Sequence, residues 1–300
     1  MLANFFGKSK PVNFVVLFAL FLIYFSLSLF SKELSFGLFK ELLWFIVVFS
    51  VYNFIIAKNQ LTFDNSYAFL FFVILLGFFP DTLNINNTFY ACLTVLLFLR
   101  KVYSLQSSKN VFHKIFDGGL WLGFSFLIEP YTAIFIILLY LSIFLHQRFT
   151  YQTLLIPIIG FSSPVFLYFT YCFWYDKTED FQLLFNWNFS YKLDFYLNTK
   201  YLFPIIFISF LTLSSILLKS PKALAVLNTF RKNWILTLTH LTISLSIIFL
   251  IKDKIGSELL FSFFPISVVL ANGLELFQKR WFADLFVIAA LACSIILYFI

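Results

Sequence analysis

Runs of hydrocarbon and aromatic side chains, interrupted by one or two charges, a proline or a knot of asparagines, set the pattern of this chain. Each charge-poor run is read as one helix of a membrane-spanning bundle, since a bilayer crossing takes roughly 20 mostly apolar residues. The boundaries predict eleven helices, over 12–31, 41–57, 65–80, 86–101, 115–129, 131–146, 151–175, 201–219, 233–251, 257–274 and 281–299. Some are short for a full crossing, notably 115–129 and 131–146. Glu129-Pro130 separates those two, because proline lacks the backbone donor and disfavours helix at the residue before it. The fold expected is all-α and polytopic, a single transmembrane helical domain over residues 1–300.

Composition removes the alternative of a soluble domain. The chain is 61% hydrophobic and 12% charged, with 47 Phe in 300 residues. An ordinary globular domain is about a quarter charged. The first apolar run follows a basic start, as in a signal peptide, but approaches 20 residues and is not followed by a small-residue cleavage site, so it is expected to be retained as the first helix. Cys92, Cys172 and Cys293 all fall inside apolar runs and show no metal-binding or disulfide spacing, so they read as small buried hydrophobes. No metal site and no cofactor are expected.

Charge then orients the bundle. With the N-terminus inside, 14 of the 21 Lys and Arg residues fall on the cytoplasmic side and 7 outside, and every arginine is inside. That is the excess that cytoplasmic loops carry, and it puts the C-terminus outside. The net charge of +7 is thereby a property of topology. The basic loops are sparse for a nucleic-acid patch and of the size that rests on anionic lipid headgroups. The bilayer is the partner expected and nucleic acid is not; protein partners are not legible.

The acids fall the other way, ten outside and four inside. Orientation does not require that, so outer-face chemistry competes with plain loop solubility as its cause. In "FFPDTLNINNTFY", residues 78–90, Pro80 stops one helix and Asn84, Asn86, Asn87 and Thr88 precede the next, all of them residues that turn and cap. The stretch reads as a capped hairpin or as part of a site using Asp81. Glu129, beside hydrocarbon at a broken helix end, is costly unless paired. Glu33 sits in "SKELSFGLFKE", charge interleaved with hydrocarbon, which reads as an amphipathic turn along the interface or as plain solvated charge.

Asp81, Glu33 and Glu129 are the candidate catalytic carboxylates. Lys252 and Lys254, in "KDKIGSE", have the charge to meet a phosphate, or else snorkel from a helix end. Trp187 belongs to an aromatic-rich outer segment, 175–201, that reads as an interface belt or as a stacking surface for a substrate. His240, flanked by Thr237, Thr239 and Thr242, reads as a buried imidazole bonded to threonine hydroxyls, with a proton relay as the alternative.

The opening "FFGKSKPVNF", with the Phe/Leu/Ile-rich spans and the length, resembles an uncharacterised family of polytopic inner-membrane proteins from Bacteroidota, whose members often carry the label beta-carotene 15,15'-monooxygenase. The resemblance implies an inner-membrane, multi-pass location. The label implies non-haem iron on four histidines, whereas this chain has His113, His146 and His240 only. "LLGFFPDTLNINNTFYACLTVLLFLRKV" followed by "DGGLWLGFSFLIEPYTAIFIILLYL" resembles the GT-C glycosyltransferases over about residues 70–145. That likeness implies transfer of a sugar from a polyprenyl-phosphate carrier at the outer face. The other reading is a non-catalytic membrane scaffold or transporter component, with the same acids serving as caps and loop charge.

Overall fold

The computed structural model describes residues 2–28, 37–187, 189–225, 228–277 and 280–296. Among them every regular element is helical. In chain order these are α1 (Leu2–Phe6), α2 (Pro11–Ser28), α3 (Gly37–Asn59), α4 (Tyr67–Phe78), α5 (Asn87–Ser104), α6 (Val111–Ile128), α7 (Ile136–Leu145), α8 (Tyr151–Trp174), α9 (Thr178–Leu183), α10 (Thr199–Ala225), α11 (Asn228–Leu250), α12 (Leu260–Leu274) and α13 (Arg280–Ile296). Short 3-10 turns at Pro80–Leu83, Pro130–Phe135, Asp194–Leu197 and Ser257–Leu259 join several of them.

Seven helical segments among the described residues are long and apolar enough to cross a bilayer: Pro11–Ser28, Leu38–Asn59, Val111–Ile128, Tyr151–Trp174, Thr199–Ala225, Phe230–Leu250 and Ser257–Leu274. This is a multi-pass membrane protein by that measure. The predicted segments 65–80, 131–146 and 281–299 correspond to shorter apolar helices, Tyr67–Phe78, Pro130–Leu145 and Trp281–Ile296. At 1.5 Å per residue the 12 residues of α4 rise about 18 Å, well under the roughly 30 Å of hydrocarbon.

α4 and α12 are the most enclosed helices among the described residues. In α4 every residue from Ala68 to Phe78 is buried, and in α12 all but Ile266 are. A helix apolar on all sides belongs in the centre of a bundle, and these two pack on each other. Around them Phe21, Phe45, Phe49, Phe69 and Phe72 interleave with ring centroids 4.9 to 6.1 Å apart, mostly edge-on or tilted.

The peripheral helix α8 is the opposite case. It buries only Thr153, Pro157, Gly160, Pro164 and Cys172, one narrow stripe of mostly small side chains. That stripe meets Gly119 and Gly123 of α6 so closely that a Cβ on Gly119 would lie 2.3 Å from the Pro157 carbonyl oxygen. Small residues of this kind let helices approach in lipid, where no hydrophobic force between helices remains.

Candidate functional site

The hairpin at 78–90 is built from its own turn chemistry. α4 stops at Phe78, and Pro80 opens the 3-10 turn that carries Asp81. Thr82 Oγ1 donates to the Phe79 carbonyl at 2.6 Å. Asn86 caps α5, its Oδ1 accepting from the Phe89 N–H at 3.0 Å. The same side chains also reach other parts of the chain. Asn86 Nδ2 donates to Ser257 Oγ at 2.9 Å, and Thr88 Oγ1 to Glu129 Oε1 at 3.3 Å. Asp81 Oδ2 accepts from Lys200 Nζ at 3.0 Å and from the Tyr201 hydroxyl.

Glu258 lies beside this group and is 1% exposed. Gly256, with φ +87°, turns the chain into the 3-10 segment that holds it. A side chain at Gly256 would be strained by that φ, and its Cβ would also stand 2.8 Å from Tyr201 Oη. Tyr196 donates to Glu258 Oε1 at 2.5 Å, and the Ile255 N–H reaches Oε2 at 3.3 Å. Burial raises the Tyr196 phenol, and the negative charge of Glu258 adds to that.

Burial likewise raises the Glu129 carboxyl above the ordinary range; the Thr88 hydrogen bond opposes this and the charge of Glu258 reinforces it. Glu258 thus feels both sides of the cluster: it acts on Glu129 and, through space, on Tyr201, which binds Asp81. Chemically the cluster is a compensated network. Two tyrosine hydroxyls, a threonine hydroxyl, a lysine and a backbone N–H are all aimed at its three carboxylates.

The other sequence-derived candidates make no hydrogen bond or ion pair with these three carboxylates among the described residues. Lys254 Nζ donates to three carbonyls, those of Ile251 at 2.7 Å, Ser190 at 2.9 Å and Phe249 at 3.3 Å, so it caps the end of α11. Lys252 is exposed. Trp187 is 38% exposed, its Nε1 donating to the Leu184 carbonyl at 3.0 Å and its ring edge-on to Phe189 at 6.2 Å. Glu33 lies outside the described residues.

His240 corrects the threonine reading: Thr237, Thr239 and Thr242 donate to carbonyls of their own helix, those of Asn233, Ile235 and Thr239. The imidazole sits between the Phe135 and Phe264 rings, centroids 5.4 and 5.5 Å away, and neither nitrogen has a hydrogen-bond partner among the described residues. A helical threonine bonds the carbonyl a turn back more readily than a neighbour's ring.

The opposite end of the molecule holds a pair that the sequence hid. Lys219 Nζ lies 3.3 Å from Glu275 Oε2, with side-chain exposures of 5% and 4%. Glu275 Oε1 also accepts from the Phe63 N–H at 2.9 Å and from Asn65 Nδ2 at 2.7 Å. The ammonium lies over the Phe63 and Phe230 rings, 5.3 and 5.0 Å from their centroids. In sequence Lys219 is one more base near Lys222, and no spacing links it to an acid 56 positions later.

The chain belongs to a family of unknown function (DUF6427), which matches it over residues 1–300. No curated protein and no solved structure matches it.

Proposed function

We propose that this protein is a non-catalytic component of a bacterial inner membrane, a scaffold for other membrane proteins, that crosses the bilayer eleven times with its N-terminus inside. The observation that carries the reading is the engagement of Asp81 by Lys200 and Tyr201. A general base needs its lone pairs within hydrogen-bond reach of a substrate proton, and this carboxylate is turned towards the protein's own donors. Glu258 is engaged in the same way by Tyr196. The acids tie helix ends together.

A specific observation favours the other reading, a GT-C-like transferase of a polyprenyl-phosphate-linked sugar. Burial raises the Glu129 carboxyl above the ordinary range and the charge of Glu258 adds to that, the direction in which general acids are tuned.

Complementation of a deletion strain separates the two. Asp81→Asn still accepts from Tyr201, and Glu129→Gln keeps an oxygen for Thr88. Both variants are expected to restore the wild-type phenotype at unchanged protein level. Loss of the phenotype with the protein still folded and inserted would overturn the scaffold reading and return the transferase.

A further inference from the structure

A cavity of about 580 Å³ opens at the end of the molecule that holds Lys219 and Glu275. That is within the range of ligand sites, roughly 300–1,000 Å³. Six of its fourteen lining residues carry side-chain amides: Asn53, Asn59, Gln60, Asn65, Gln106 and Asn233. Asp64 supplies its one charge. Asn233 is 4% exposed, and while its Nδ2 donates to the Asn59 carbonyl at 3.1 Å, its Oδ1 is buried without a partner among the described residues. A buried acceptor left open is costly unless something comes to fill it.

A second cavity, of about 230 Å³, adjoins the first and shares Phe14 and Asn53 with it. Its remaining lining is Phe18, Ile46, Phe49, Ser50 and Phe69, between α2 and α3. Ile46 is 43% exposed and Ser50 is exposed, so this groove opens sideways, towards the bilayer. Ile46, Phe49, Ser50, Asn53 and Ala57 recur at helical spacing, so one face of α3 runs from the groove to the amide chamber. The 11 helical steps from Ile46 to Ala57 rise about 17 Å, close to the roughly 15 Å of hydrocarbon in one leaflet.

We propose that this two-part site binds one zwitterionic membrane lipid. Its hydrocarbon chain lies in the groove between α2 and α3, its phosphate and ester oxygens take the amide N–H groups of Asn53 and Gln60, and its ammonium donates to the open Asn233 Oδ1 and meets Asp64. An anionic head is disfavoured because the chamber offers it a carboxylate and no lysine or arginine. A basic recess of about 250 Å³ does adjoin across Asn59 and Gln106. Two of its cations are already engaged, Lys101 by Asp117 at 2.6 Å and Lys114 by the Ser104 and Ser107 carbonyls at 2.7 and 3.1 Å.

The test uses the full chain in nanodiscs of equimolar phosphatidylethanolamine and phosphatidylglycerol, with native mass spectrometry counting the lipids retained after mild delipidation. One phosphatidylethanolamine per chain is expected, in preference to phosphatidylglycerol. Asp64→Asn, on an exposed turn where folding is not at risk, is expected to weaken that preference about tenfold. Asn53→Phe, which fills the junction of the two cavities, is expected to abolish retention while helical circular dichroism remains that of the wild type. Asp180→Asn, far from the site, should change nothing. Failure to retain a lipid, equal retention of the two lipids, or phosphatidylethanolamine retention unchanged in Asp64→Asn would overturn the proposal. A preference for phosphatidylglycerol that is lost in Lys58→Ala would overturn it in favour of the basic recess.

Discussion

Asp81 and Glu275 are both carboxylates near helix ends, each paired with a lysine, and burial separates what they do. The Asp81–Lys200 pair has side-chain exposures of 30% and 48%. Water screens such a pair, and its worth is about 0–1 kcal/mol. Lys219–Glu275 is exposed by 5% and 4%, and removing one partner of a buried pair typically costs about 3–5 kcal/mol, because the remaining charge is stranded. Glu275→Gln keeps an acceptor for the Phe63 N–H and leaves the Lys219 ammonium uncompensated between two phenylalanine rings. Thermal unfolding in detergent, followed by helical circular dichroism, should show a large fall in midpoint for Glu275→Gln and little change for Asp81→Asn. Equal, small effects would mean that water reaches the Lys219 pair. Nothing at either position in the sequence announces the difference; "FPDTL" and "GLELF" are both an acid among apolar residues.

For helices, the informative feature is where small residues sit. Gly118 and Gly119 are adjacent in α6 but face different neighbours. A Cβ at Gly118 would meet Leu139 Cδ1 at 3.4 Å, an ordinary contact with a side chain that can move. One at Gly160, across the interface from Gly119, would stand 2.3 Å from the Phe116 carbonyl oxygen, and backbone cannot yield without separating α6 from α8. Overpacking of this kind costs about 1–3 kcal/mol. Gly160→Ala should therefore lower the unfolding midpoint, and Gly118→Ala should leave it or raise it, since alanine is the better helix former by about 1 kcal/mol. A tolerated Gly160→Ala would show that α8 is not pressed onto α6 as described. The glycines themselves were visible in the sequence as "DGGLWLG", but which of them faces α8 depends on helix rotation, and rotation follows from packing.

For the whole molecule, the loops meet in two groups. Asp81, Asn86, Thr88, Glu129, Lys200 and Glu258 are joined by contacts at one end. Phe63, Asn65, Lys219 and Glu275 are joined at another, where Asn59 also meets Gln106 and Asn233. Each set corresponds to loops assigned by charge to one side of the bilayer, which supports the proposed alternation. Reporter fusions after residues 110 and 190 are expected to give cytoplasmic and external signals respectively. Signals from the same side would remove the proposed topology, and with it the outer location of the carboxylate cluster.

The helical membrane class was legible in the chain alone, because hydrocarbon at 61% of positions and charge at 12% leave lipid as the only solvent that fits. The break at Glu129-Pro130 was legible for a similarly local reason, the missing backbone donor of proline, and the capping role of Asn86 followed from its own side chain reaching three residues ahead. Which helices are enclosed was not. α12 is no more apolar than α2, yet α12 is enclosed and α2 is not, and only the surrounding bundle makes that difference. The partners of the charges were not legible either: Glu258 with Tyr196 and Glu275 with Lys219 join residues 62 and 56 positions apart. Composition decides the solvent of each segment, but a hydrogen bond forms between atoms about 3 Å apart, and distances on that scale between remote residues exist only once the helices have packed.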